Sequence, residues 1–143
     1  MPSRLLIAVL AVVSASGATA QQMPIHTSMV ELLAHPKEFD SKFVQVSGFL
    51  HNQFEDTALY MTKEDADYLN GKQGVWIVFD NPKIQKEPNK PLEYFDCRRV
   101  FLEGIFDTKI GGHLGLTSPA GIRNVSRIVE ETRYFDGKKR LKE

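Results

Sequence analysis

The stretch Phe43-Val44-Gln45-Val46-Ser47-Gly48-Phe49-Leu50-His51 reads as one long strand with a glycine in its middle. The design returns as Val100-Phe101-Leu102-Glu103-Gly104-Ile105-Phe106-Asp107. Alternation puts Val44, Val46 and Leu50 on one face of the first strand, and Val100, Leu102 and Phe106 on one face of the second. Closing a few strands on themselves needs sharp bends, and a residue without Cβ allows a bend or bulge at the least steric cost. Gly48 and Gly104 are therefore read as structural. Two such strands among about five candidates predict a mainly β fold, a small five-stranded antiparallel barrel with one or two short helices. The competing reading is an ordinary sheet whose strands each glycine weakens.

Upstream, Ser28 with Glu31 three residues on makes a capping box for a short helix whose apolar residues are Met29, Val30, Leu32 and Leu33, stopped by Pro36. Phe39, in the turn that follows, is read as an anchor into the core. Downstream, residues 52–57 form a hairpin connection into a short strand Ala58-Leu59-Tyr60-Met61. Thr62 caps a brief helix reaching Tyr68 or Leu69, with Asp65 in its first turn and Gly71 ending it. Val75-Trp76-Ile77-Val78-Phe79 is the most β-prone run, apolar on both faces. From Asn81 to Leu92, Pro82, Pro88 and Pro91 predict a long surface loop with no ladder. Residues 108–113 are read as a hairpin into Leu114-Gly115-Leu116. The last strand, near Ile122 to Val129, has Ile122, Val125 and Ile128 spaced by three. A bulge near Asn124 reconciles that spacing with a strand, and a helix is the competing reading.

Residues 1–20 have a basic start ending at Arg4, an apolar run Leu5 to Val13, and a small-residue tract ending Ala18-Thr19-Ala20. That is the pattern of a secretory signal peptide with cleavage before Gln21. The apolar run is too short to span a bilayer. The expectation is an exported protein, periplasmic or secreted, with one domain over residues 21–130 and a frayed, charged tail over 131–143. Eighteen basic residues face 18 acidic ones, and near-neutral charge argues against a nucleic-acid partner. Cys97 is the sole cysteine, so no internal disulfide forms. Burial as a small hydrophobe and cross-linking of two chains are its alternative fates.

Val44-Gln45-Val46-Ser47-Gly48, Val100-Phe101-Leu102-Glu103-Gly104, and Gly112-His113-Leu114-Gly115 leading into Ile122-Arg123-Asn124-Val125 together resemble the OB-fold, in particular small exported OB-like bacterial envelope proteins of unassigned function. The likeness covers about Phe39 to Val129 and departs in one respect. The helix signal falls between strands two and three, where that fold usually carries its helix between strands three and four. The resemblance implies a ligand face on strands two and three and their connecting loops, with Phe49, His51, Phe54, Tyr60, Trp76 and His113 as candidate contacts. Against that stands the ordinary use of such aromatics as core, and of such histidines as exposed or hydrogen-bonded groups.

No catalytic constellation has the required spacing. His26, His35, His51 and His113 lie in separate elements, one cysteine cannot supply a thiolate zinc site, and no G-x-S-x-G elbow occurs. No metal or cofactor is expected. The function read from the sequence is a non-catalytic binding or adaptor domain of the cell envelope, taking a peptide, glycan or envelope protein. The alternative is a small periplasmic hydrolase using His51 or His113 with a carboxylate such as Glu55 or Asp107.

Overall fold

A computed structural model of the chain describes residues 22–54, 56–111 and 118–132. The elements in order are β1 (Ile25–His26), α1 (Met29–Ala34), α2 (Pro36–Phe39), β2 (Phe43–Gln53), β3 (Asp56–Tyr60), α3 (Lys63–Asp67), β4 (Gly74–Ile77), β5 (Arg98–Asp107) and β6 (Gly121–Glu130). The protein is mainly β, with six strands in one mixed sheet ordered β1-β2-β3-β4-β6-β5 and three short helices.

The expectation of five antiparallel strands is corrected in two respects. β1, two exposed residues pairing parallel with β2 at Ile25↔Val44, is an added sixth strand with no periodicity to announce it. The second correction follows from parity. β2 also pairs with β5, so β2, β3, β4, β6 and β5 form a circuit of pairings. A circuit with an odd number of members cannot reverse direction at every step. The parallel step falls at β4–β6, Trp76↔Gly121 and Ile77↔Ile122.

The two glycine-centred strands lie side by side, with Val44↔Gly104 and Gly48↔Val100 in register. Val44, Val46, Leu50, Val100, Leu102 and Phe106 are all buried, as their alternation predicts. Neither glycine has a φ in the left-handed region; each is required by close approach. A Cβ on Gly48 would stand 2.6 Å from Leu59 Cγ and 2.8 Å from Tyr60 O, and one on Gly104 2.5 Å from Ile122 Cγ2 and 2.9 Å from Arg123 O. Opposite Gly104, β6 bulges: Glu103 pairs with Arg127 and Ile105 with Arg123, leaving Asn124 to Ser126 against one residue. Asn124 takes φ 49° there. The spacing of three along β6 is this bulge and not a helix.

The Ser28/Glu31 capping box starts α1, which buries Met29 and Leu32 in the core. Pro36 ends that helix and also opens α2, where its fixed φ suits a first turn. Phe39 packs against the core from α2. Thr62 caps α3 by accepting the Asp65 N–H at 3.1 Å.

The proline-bearing loop differs from expectation in making one rung of ladder. Gln85 N–H donates to Ser126 O at 2.8 Å, and Gln85 O accepts from Ile128 N–H at 2.9 Å. β4 covers only the start of β6, so that edge of β6 stays open for a single loop residue to satisfy. The loop ends in a single-turn 3-10 helix, Leu92–Phe95, whose Phe95 is fully buried. Tyr94 ties it outward: its hydroxyl donates to Glu130 at 2.8 Å, and Lys90 Nζ and the Arg98 guanidinium stand over its ring at 4.2 and 4.3 Å from the centroid.

Cys97 is exposed, against the expected burial. It takes φ 56° where the chain turns into β5, and Phe95 fills the nearby core position. Glu131 accepts from Arg99 Nε at 2.8 Å and from the Ser47 hydroxyl. No helix among the described residues is long and apolar enough to cross a membrane. The expected signal peptide, Glu55, His113 with the expected turn into Leu116, and residues 133–143 of the expected tail lie outside the described residues.

Candidate functional site

Register brings four of the six sequence-chosen contact residues onto one face. Phe49 stands opposite Tyr60, His51 opposite Ala58, and Ala58 opposite Trp76, a row running across β2, β3 and β4 on the side away from the main core. α3 lies over this face. Ala66 of that helix, Ala58 and Tyr60 form a second buried cluster with Phe49 packed against it. Tyr60 is thus interior and Phe49 and Trp76 are half-buried, while Phe54, at the β2–β3 turn, is fully in solvent. His113 lies outside the described residues. The helix between β3 and β4, a departure already visible in the sequence, is what covers the aromatics.

At the open end of the row, His51 Nε2 lies 3.2 Å from Asp56 Oδ2, and the Tyr60 hydroxyl donates to Asp56 Oδ1 at 3.3 Å. The Asp56 side chain is 9% exposed, and its Oδ2 accepts no well-directed hydrogen bond. Burial pushes the Asp56 carboxyl above its ordinary range, with His51 and the Tyr60 hydroxyl pulling the other way. Burial, reinforced by Asp56, pushes the Tyr60 phenol up as well. The ring of His51 meets that of Tyr60 edge-on at 6.4 Å. Beside His51 stand Asp96 and Cys97; one ligand-type atom from each of the three lies within 4.8 Å of the others, a grouping found once among the described residues.

A separate cleft of about 530 Å³ opens near the other end of β2, between the segment Gln22 to His26, the middle of β5 and the β6 bulge. Its wall carries Phe43 and Ile105 as apolar surface, with Gln45, Gln85, Glu103 and Arg127 as polar groups. Gln45 Nε2 donates to Glu103 Oε1 at 2.7 Å, and Arg127 reaches the same oxygen at 3.3 Å. The cleft lies where β6 bulges opposite Gly104, with Gln85 paired along the outer edge of that bulge.

The sequence reading missed Asp56, Asp96, Cys97 and the entire cleft. Asp56 sits in a stretch read as a turn, and Asp96 with Cys97 immediately precedes a strand. Only the pairing of β5 with β2 brings them to His51, through Cys97 N–H donating to Leu50 O at 2.9 Å. Of the carboxylates named for the hydrolase alternative, Asp107 is held by Arg123 Nε at 2.9 Å.

No family model matches the chain. No curated protein matches it. Among solved structures it is similar to a chain described as "putative aspartyl-tRNA synthetase" from Leishmania major Friedlin, at 15% identity and a TM-score of 0.36. The match covers 84% of this chain and 24% of that one, so this chain spans about a quarter of its length.

Proposed function

We propose that the circuit of strands is an OB-like barrel and that the protein is an exported, non-catalytic binding domain of the cell envelope, taking a peptide or glycan in the cleft beside Gln45 and Gln85. The observation that carries this is the cleft's volume and chemistry. About 530 Å³ lies within the range of small-ligand sites. The wall offers amides that both donate and accept beside apolar surface, which suits a neutral, hydrogen-bonding ligand. Arg127 is already engaged by Glu103, so the cleft lacks the uncompensated positive charge that a phosphate backbone needs. The face that the OB-fold resemblance implies, on β3 and β4, bears α3, which favours the cleft over that face.

An amide chemical-shift titration with envelope glycans, extended peptides and short oligonucleotides tests this. Shifts at Gln45, Gln85, Glu103 and Ser126 with a glycan or peptide, absent with oligonucleotides, support it. A response to oligonucleotides alone, or shifts confined to Phe54 and Trp76, overturns it.

A second reading, hydrolysis by a histidine and carboxylate, is supported by the 3.2 Å approach of His51 to Asp56. Turnover of an ester or peptide substrate that disappears in His51→Gln would favour it.

A further inference from the structure

We propose that His51, Asp96 and Cys97 form a binding site for a zinc-class divalent metal ion, with Asp56 orienting the histidine. The three ligand-type atoms lie within 4.8 Å of one another, close enough that small side-chain rotations bring all of them to the bond lengths of about 2.0–2.3 Å that zinc takes. An imidazole nitrogen, a carboxylate oxygen and a thiolate sulfur form a mixed set that suits zinc and its neighbours; magnesium and calcium take oxygen ligands instead.

Each donor is held in place by its neighbours. The Asp96 carboxylate accepts from the Asn52 N–H at 2.7 Å and from the Gln53 side-chain amide. Cys97 is fixed by its N–H to Leu50 O at 2.9 Å, in a left-handed backbone turn. His51 has Asp56 Oδ2 at 3.2 Å from Nε2. A carboxylate against a ligand histidine sets its tautomer and ring orientation and raises its basicity.

The independent sign of a missing positive charge is Asp56 itself. Its side chain is more than nine-tenths buried and directed at His51, and Oδ2 accepts no well-directed hydrogen bond. A buried carboxylate in that state is costly unless a cation compensates it. The surroundings are net acidic: Asp56, Asp67 and Asp96 lie about His51 and Cys97, and the basic group there, Lys63, is paired with Asp67. Cys97 is exposed, so a coordination position remains open to solvent. Three protein ligands with an open position is the arrangement of an accessible zinc site, unlike the closed four-ligand structural kind. This site and the cleft proposed above share no residue, so each stands or falls separately.

The test uses the purified full chain, stripped of metal under reducing conditions and titrated with cobalt(II). One equivalent should bind with the near-ultraviolet charge-transfer band of a cobalt–thiolate bond, and zinc should bleach it. Cys97→Ser, at an exposed position, should abolish the band while the thermal unfolding midpoint in chelator stays unchanged. Asp56→Asn should keep the band and weaken binding by about 10–100-fold, the usual loss on removing an outer partner of a ligand histidine. A wild-type protein that binds no cobalt, or binds it without the thiolate band, overturns the proposal. So does a Cys97→Ser variant with unchanged affinity. Should that variant not unfold cooperatively, alkylation of Cys97 in the wild-type chain decides: zinc must slow iodoacetamide labelling, and an unchanged labelling rate overturns the site.

Discussion

At Gly48 the nearest atoms to an added Cβ are Leu59 Cγ at 2.6 Å and a backbone oxygen, Tyr60 O, at 2.8 Å. At Gly104 they are Ile122 Cγ2 at 2.5 Å and Arg123 O at 2.9 Å. A side-chain atom can turn away, but a carbonyl moves only with its strand. Gly48→Val and Gly104→Val should each cost about 1–3 kcal/mol or more by overpacking, measured by urea unfolding; a loss well under 1 at both sites would mean the strands have room to separate. Asp56 makes the opposite case, a residue kept at a cost. Its carboxyl is raised in the folded chain, so the folded state holds its proton more tightly than the unfolded state. The associated stability is complete below the unfolded value and is lost as pH rises through the folded one. Asp56→Asn in chelator should therefore stabilise the protein by about 1 kcal/mol at pH 7, and the gain should shrink toward zero near pH 4. A variant less stable at pH 7 would show that pairing with His51 outweighs the burial. The glycines were legible in the sequence because their strands alternate cleanly around them. Asp56 was not, because burial of an acid beside a turn depends on which strand folds over it.

The segment between β4 and β5 shows how far an element's reading depends on long-range partners. Its three prolines announce a loop correctly, yet nothing local marks Phe95 as a core residue or Gln85 as a rung beside β6. Phe95 is fully buried among residues of the main core, so Phe95→Ala should lose about 3–5 kcal/mol. A loss below 1 on thermal or urea unfolding would make the segment a mere surface excursion. The joint between α2 and the end of β5 is electrostatic. Asp40 accepts from the Thr108 N–H at 2.9 Å and its hydroxyl at 2.8 Å, which hold its carboxyl below the usual range. The Arg123 side chain, followed by the Lys109 N–H, does the same for Asp107. A depressed folded pKa gives stability that is present above the unfolded value and lost as pH falls through the folded one. The wild-type chain should thus lose stability below about pH 4, and Asp40→Asn with Asp107→Asn should flatten that fall. An equally steep acid limb in the double variant would assign it to other carboxylates.

Over the whole molecule, the sequence carried the members of the circuit but not the direction in which each one runs. Alternation in β2 and β5 identified the walls, and the spacing of three in β6 identified the bulge. The parallel step was invisible, since direction follows from the count of strands and not from any residue. That step is also where the circuit is thinnest. β5 pairs along most of its length with β2 on one side and β6 on the other, whereas β4 meets β6 at two residues, through Trp76 N–H to Ala120 O at 3.0 Å and Val78 N–H to Ile122 O at 2.9 Å. Opening there breaks few hydrogen bonds and leaves the β2–β5–β6 wall intact, so it should cost much less than global unfolding. Native-state hydrogen exchange should find the Trp76 and Val78 amides exchanging through a low-energy local opening. Those of Val46 and Leu102 should exchange only with the whole fold. If a ligand seats in the cleft against β2, β5 and β6, it should leave the local opening at Trp76 and Val78 unchanged while raising protection of the wall. Exchange of all four amides at one common free energy would mean that the circuit opens as a unit and that β4–β6 is no weaker than the rest.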